Sequence, residues 1–455
     1  MVEKKIIQDK EKNYLFLIVI HAILGVVIFV APFIAKIYGY LILFVGIYFV
    51  VKTRNRNNEV LYAAAYIVGS EVFLRMTEGN PNHEFSKYGV ILFVLLGIFY
   101  SGFSKNAIPF WIFLILLIPG IIIGAETLHL NPTEMRKTVA FNVSGPICLG
   151  FSALYCYNRK ISIEALNSLL LVMALPILSC TVYLVLFTPD LRETLTSTGS
   201  NSATSGGFGP NQVATALGLG MFIFFSRVVL ASRTKLFLLI NVFLLLSITY
   251  RGLITFSRGG MITGFVMILL LLIYTYVHSK YRGKVKLNYF IILFVVIMSA
   301  IWVYTESKTS GLIGKRYANQ DALGRVKESR LTGRENIAQT EIDAFIANPF
   351  FGIGAAKGTE YRLQQSGSKI ASHNEITRML GEHGSLGIAM ILILIFTPLI
   401  LYLDNKQHIY MFCFLFFWFL TANHAAMRTA APAFVYALSL LKVKFSNEEV
   451  AVHRK

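Results

Sequence analysis

The sequence predicts an all-α polytopic integral membrane protein of about 12–14 transmembrane helices with one large extracytoplasmic helical loop, and three observations carry that expectation. Of 455 residues, 55% are hydrophobic and only 15% charged, and the mean hydropathy is +0.61, outside the range of soluble domains. Apolar runs of about 17 to 25 residues recur along the chain, long enough to cross the hydrocarbon core. A polar stretch of about 75 residues, Glu306 to His383, interrupts them and must lie on one side of the bilayer.

Lys4, Lys5, Lys10 and Lys12 precede the first run, which is too long for a signal peptide and lacks a small-residue cleavage site. It reads as an uncleaved span. Runs near 14–35, 37–51, 59–75, 87–103, 108–124, 138–157 and 163–188 are followed by others near 211–230, 235–252, 258–277 and 288–305. Three more, near 384–403, 408–423 and 428–442, follow the polar insert. The predicted division is therefore a bundle of about 11 spans at 1–305, a loop at 306–383, and about three spans with a tail at 384–455. With both termini in the cytoplasm, about 22 Lys and Arg fall inside against about 9 in the short outside loops, so the insert faces outward. Thr194 to Gly209 reads as a Ser/Thr/Gly-rich outside loop.

Composition also excludes classes. A net charge of +18 is spread in short clusters between apolar runs, with no basic domain, which argues for topology signals rather than nucleic acid. Cys148, Cys156, Cys180 and Cys413 fall inside or beside spans and have no metal-ligand spacing. There is no Walker A loop, dinucleotide fingerprint or H-E-x-x-H helix. Glu341-Ile342-Asp343 lies within a predicted helix, where its two carboxylates diverge by about 200° and cannot readily share a metal.

Several polar residues stand out against this background. Arg251 and Arg258 sit at the ends of two consecutive spans, where snorkelling is the plain reading. Ser257 is placed to cap the next helix, which puts Arg258 in a first turn, beside free N–H groups and the positive end of the helix dipole. Thr332 with Glu335, and Ser372 with Glu375, have capping-box spacing, so Arg334 and His373 are expected in first turns as well. Such a set suits a phosphate, although each motif alone also suits an ordinary surface helix. Asn348-Pro349 ends the first insert helix, and Phe350 to Gly354 follow as an apolar turn that packs the insert down. Glu71 and Arg75, four apart in one run, are expected to pair; Asn423, His424 and Arg428 share the last outside loop, where His424 reads as structural.

Together these strings resemble the O-antigen ligase and polymerase superfamily of bacterial envelope glycan assembly. The resemblance rests on Ser257-Arg258-Gly259-Gly260, on Thr332-Gly333-Arg334 followed by Asn348-Pro349-Phe350-Phe351-Gly352-Ile353-Gly354, and on Ser372-His373-Asn374-Glu375 leading through Gly381-Glu382-His383-Gly384-Ser385-Leu386-Gly387. Gly209-Pro210-Asn211-Gln212 is also similar, and roughly residues 205–400 are covered. The resemblance implies a fold like the class C integral-membrane glycosyltransferases. It implies metal-independent, cofactor-free transfer of a glycan from undecaprenyl pyrophosphate to an acceptor sugar hydroxyl, on lipid A-core for example. The reaction would run at the periplasmic face of the bacterial inner membrane. By the same resemblance Arg258, Arg334 and His373 are the catalytic residues; Ser257, Arg251, Asn374, Asn211 and Arg362 are expected, from their places beside these strings, to bind pyrophosphate or glycan. Tyr361 and Arg362 would line the glycan path, unless they lie on a plain exposed loop. His373 could be a general base or a phosphate ligand, with Glu375 and Glu382 as rival bases. Glu375 departs from the family, which often has a bulky apolar residue there. A polymerase of lipid-linked repeats is the alternative within this class, and a transporter of lipid-linked glycan the alternative outside it.

Overall fold

The computed structural model describes residues 2–188, 194–232, 234–327, 334–367, 370 and 372–445. Its first seven helices are α1 (Val2–Val30), α2 (Ile34–Thr53), α3 (Glu59–Met76), α4 (Phe85–Ser101), α5 (Ile108–Thr127), α6 (Pro132–Cys156) and, after strand β1 (Lys160–Ser162), α7 (Ile163–Phe187). Then come α8 (Pro210–Leu230), α9 (Lys235–Ile254), α10 (Arg258–His278), α11 (Tyr281–Lys308) and α12 (Leu312–Tyr317). The insert continues with α13 (Arg334–Ala347) and α14 (Gly358–Ser366). The chain closes with α15 (Glu375–Asp404), α16 (Met411–His424), α17 (Ala431–Leu438) and strand β2 (Lys442–Lys444).

Ten of the described helices are long and apolar enough to cross a membrane, and the chain is an all-α multi-pass membrane protein. The first thirteen apolar runs fold as helices near their expected bounds. The fourteenth does not: it yields only the eight residues of α17, about 12 Å of helix, before the chain turns into β2. That length cannot span the hydrocarbon core. Local chemistry sets several starts: Asn131 accepts from the Glu134 amide ahead of Pro132 in α6, and Thr234 accepts from the Phe237 amide in α9.

Two compact units result. The first comprises residues 1–45, 65–83 and 167–328, and the second 46–64, 84–166 and 329–455. In the first unit α8 and α10 are joined through small residues four apart, Ala214 and Gly218 against Gly260 and Gly264. A Cβ on Gly260 would stand 2.2 Å from the Ala214 carbonyl carbon, and one on Gly264 would stand 2.4 Å from the Gly218 oxygen. Without a hydrophobic drive between helices in lipid, such close backbone packing holds the pair. Gly260→Ala is therefore expected to cost about 1–3 kcal/mol by overpacking. Thermal unfolding of the detergent-purified protein measures this, and an unchanged midpoint would show that the contact is not needed. In α3, Glu71 and Arg75 form the expected ion pair at 2.8 Å, 1% and 6% exposed. Arg75 also reaches Gln212 at 3.4 Å.

In the second unit, α13 packs along α15 and α6 along α4, α5 and α17. The short strands β1 and β2 pair in parallel, Ile161 opposite Val443. Helix α15 bends at Gly384, whose φ of 62° and ψ of −138° divide a polar stub, Glu375 to His383, from the apolar half. The glycine strings on either side of α14 form a backbone clasp at this bend. Ile353 N donates to Gly381 O (2.9 Å), Gly354 N to Glu382 O (3.1 Å), Ser385 N to Pro349 O (2.7 Å) and Ala355 N to Gly120 O (2.7 Å). Gly352, at φ 71°, has no room for a Cβ, which would meet the Glu382 and His383 backbone at 2.4–2.6 Å. The apolar turn thus packs down as expected, but through its backbone, while Phe350 and Phe351 stay 74% and 55% exposed.

Candidate active site

In the second unit the structure brings Arg334, His373, Asn374 and Arg362 into one neighbourhood. Arg334 opens α13, and its Nη1 donates to the His424 carbonyl at 3.2 Å. Thr332 and Gly333, the rest of that string, lie outside the described residues. The second capping box does not form. Asn374, not Ser372, caps α15, accepting from the Ile376 and Thr377 amides at 2.9 and 3.4 Å. His373 therefore lies before the helix rather than in its first turn. Arg428 holds the Ser372 carbonyl (2.9 Å) and the Ala426 amide holds that of His373 (3.1 Å), which keeps both residues outside the helix.

Glu375 is taken up differently from a cap. It pairs with Arg378, which also reaches Glu382 at 3.1 Å, and Asn142 donates to both Glu382 oxygens at 3.2 and 3.0 Å. Both rival bases are thus tied into a buried network. Glu341 is a structural pin joining three insert helices: it accepts from Arg362 Nη1 of α14 at 2.8 Å and from Thr377 Oγ1 of α15 at 2.6 Å. Asp343 points away into an exposed bond with Gln339, so the two carboxylates diverge as expected. Arg362 is not on an exposed loop. It is 3% exposed, with further bonds to the Ile370 carbonyl and Thr359.

These groups line a polar cavity of about 120 Å³, room for several water molecules, walled by Lys87, Asn142, Arg362, Arg378, Glu382 and Arg428 among others. Beside it, His373 is held neutral. Burial first, then the charges of Arg428, Arg334, Arg362 and the neighbouring His424, lower its pKa to about 4. Its Nδ1 is buried and has no hydrogen-bond partner among the described residues. A neutral imidazole among guanidinium groups is a proton acceptor whose product, an imidazolium, would repel its neighbours unless an anion joins them. The reading from sequence missed Lys87, Asn142 and Arg378. For Arg378 a signal existed, since Glu375 and Glu382 stand three and four residues away on one helix. Lys87, 1% exposed and paired with Glu84 at 2.5 Å, gave none, because it sits at the edge of an apolar run.

The first unit carries the other expected residues. Ser257 occupies the N-cap position of α10 but does not cap it; its hydroxyl donates to Asn211 Oδ1 at 2.7 Å. Arg258 opens α10 and reaches the Arg316 carbonyl at 3.4 Å, and Arg316 Nε in turn holds the Phe256 carbonyl at 3.0 Å. Burial pushes the neighbouring Tyr317 hydroxyl up to about 12 against the pull of Arg258 and Arg316. Tyr317 also borders an apolar cavity of about 480 Å³, together with Met261, Ile262 and Phe265, which share the helix face of Arg258. Arg251 is 4% exposed in the last turn of α9, and its Nε and Nη2 have no partner among the described residues. The plain snorkelling reading does not fit so buried a guanidinium.

No group of three or more His, Cys, Asp or Glu side chains suited to a metal occurs among the described residues. Residues 240–392 match the model of a protein family described as O-antigen ligase. That stretch is about a third of the chain and includes Arg251, Arg258, Arg334, His373 and Arg378, but not Asn211, Lys87 or Arg428. No curated protein matches the chain.

Proposed function

We propose that this chain, whose residues 240–392 match the O-antigen ligase family model, transfers a glycan from undecaprenyl pyrophosphate to an acceptor sugar hydroxyl, without a metal. The observation that carries this reading is the set of guanidinium groups of Arg428, Arg334 and Arg362 around a neutral His373, next to a cavity that Ser372, Arg362 and Arg428 line. In the reaction, the acceptor oxygen bonds to the anomeric carbon as the bond from that carbon to the pyrophosphate oxygen breaks. The hydroxyl proton passes to His373, and the polyprenyl pyrophosphate leaves with its charge on cations. Arg334 stabilises that departing charge with a fork of donors suited to phosphate oxygens, and Arg258, by the family resemblance alone, is proposed as a second pyrophosphate ligand. Asn374, by capping α15, fixes His373 just ahead of the helix. Within the first unit, the apolar cavity on the Arg258 face suits a polyprenyl chain, and Asn211, Ser257 and Arg251 are proposed to bind lipid-linked substrate there. The Lys and Arg bias supports a cytoplasmic N-terminus and an insert on the opposite face, which we take as the periplasmic face of the inner membrane.

The test is transfer by the purified protein in nanodiscs, given a lipid-linked glycan and an acceptor, with chelator present throughout. Transfer is expected to continue in chelator. It requires His373 unprotonated, so kcat/KM should hold as pH falls below the ordinary histidine range of about 6.5 and fail only near the lowered value of about 4. In His373→Gln the residual rate should lose that acid limb. Movement of glycan across the bilayer with no new glycosidic bond would replace this reading with the transporter. Single-acceptor products mark a ligase, and growing lipid-linked chains a polymerase.

A further inference from the structure

Four cations line the polar cavity of the second unit, and three are matched by carboxylates. Lys87 pairs with Glu84, Arg362 with Glu341, and Arg378 with both Glu375 and Glu382. The fourth, Arg428, is half-buried in the loop between α16 and α17 and has no carboxylate within ion-pair distance among the described residues. Its Nη2 donates to the Ser372 carbonyl at 2.9 Å, and its other donors have no protein partner among the described residues. Burial, then Arg334 and Arg378, push its pKa down, and Glu375 is the weakest of these influences. A half-buried guanidinium at a cavity wall, with donors to spare and no carboxylate of its own, is a group able to receive an anion.

We propose that this cavity is an anion-binding subsite in which Arg428 grips a phosphoryl or carboxylate group, held with help from the Thr359 hydroxyl, which also lines it. Arg428 lies outside the matched family stretch, whereas Thr359, Arg362 and Arg378 lie inside it. The proposed transfer reaction offers two sources for the anion, the donor's pyrophosphate and an acidic group on the acceptor glycan. Only the choice between them rests on that reaction.

Isothermal titration of the full chain in nanodiscs with inorganic pyrophosphate tests the subsite without turnover. Wild type should bind, and Arg428→Gln, whose amide can still donate to the Ser372 carbonyl, should remain folded and bind at least tenfold more weakly. Should that variant not fold, Arg428→Lys decides, because it keeps the charge and loses the fork; several-fold weaker binding is expected. Equal affinity in the variant used, or no binding by wild type, overturns the proposal. In the transfer assay, a rise confined to KM for the donor lipid assigns the anion to the donor. A rise confined to KM for the acceptor assigns it to the acceptor. Pyrophosphate binding that depends on Arg428 in a protein that never transfers glycan would keep the subsite and sink the proposed function instead.

Discussion

Arg334→Ala should slow glycan transfer about 10²- to 10³-fold, equivalent to about 2.7–4 kcal/mol of barrier, the cost of removing one preorganised donor from a developing anion. The residue opens α13 and has one arm anchored on the His424 carbonyl, so its guanidinium is positioned before substrate arrives. Because the charge it meets grows as the leaving group departs, the loss should fall on kcat more than on donor affinity. Arg334→Lys should recover part of the rate, since it keeps the charge without the fork. Arg258→Ala is expected to fall in the same range. Steady-state transfer rates with a defined lipid-linked donor check this. An Arg334→Ala enzyme with more than half the wild-type kcat/KM would remove Arg334 from the chemistry.

Arg378→Ala should destabilise the protein by about 3–5 kcal/mol, because it strands two carboxylates in a buried place. Glu375 is 2% exposed and Glu382 3% exposed, and this one guanidinium is the ion-pair partner of both, Glu375 having besides it a long bond from the Met427 amide at 3.5 Å. Asn142 alone remains for Glu382. Neutralising the stranded groups in Arg378→Met with Glu375→Gln and Glu382→Gln should restore much of the loss, since the cost lies in uncompensated charge rather than in lost contact. Thermal midpoints in detergent distinguish the two variants. Equal midpoints for Arg378→Ala and wild type would mean that water reaches the carboxylates freely.

The helices were legible because apolar runs with charged breaks are dictated by the bilayer, and α1 to α11 follow them closely. The failure at 428–442 has a plain cause. Apolarity there serves burial inside the protein, as the fully buried Phe434, Tyr436 and Leu438 show, and burial in protein and burial in lipid read alike in a sequence. The choice of cap before α15 was likewise undecidable locally: Ser372 and Asn374 are both good caps, and distant Arg428 and Ala426 settle which is used. Arg334 and His373 were found through their neighbours in the chain. Lys87 and Asn142 were not, since only the packing of α4, α6 and α15 turns residues near the ends of apolar runs into cavity walls.

The bend at Gly384 makes α15 a lever with a fixed elbow. The stub that begins at Asn374 and the apolar arm beyond Ser385 are locked to each other by the clasp from Pro349 to Ala355. Tilting or sliding of the arm is therefore passed to the stub as motion of its tip, where His373 and the network around Arg378 are seated. The thickness of the surrounding lipid, which sets how a long apolar helix leans, thereby becomes an input to the geometry at the polar cavity.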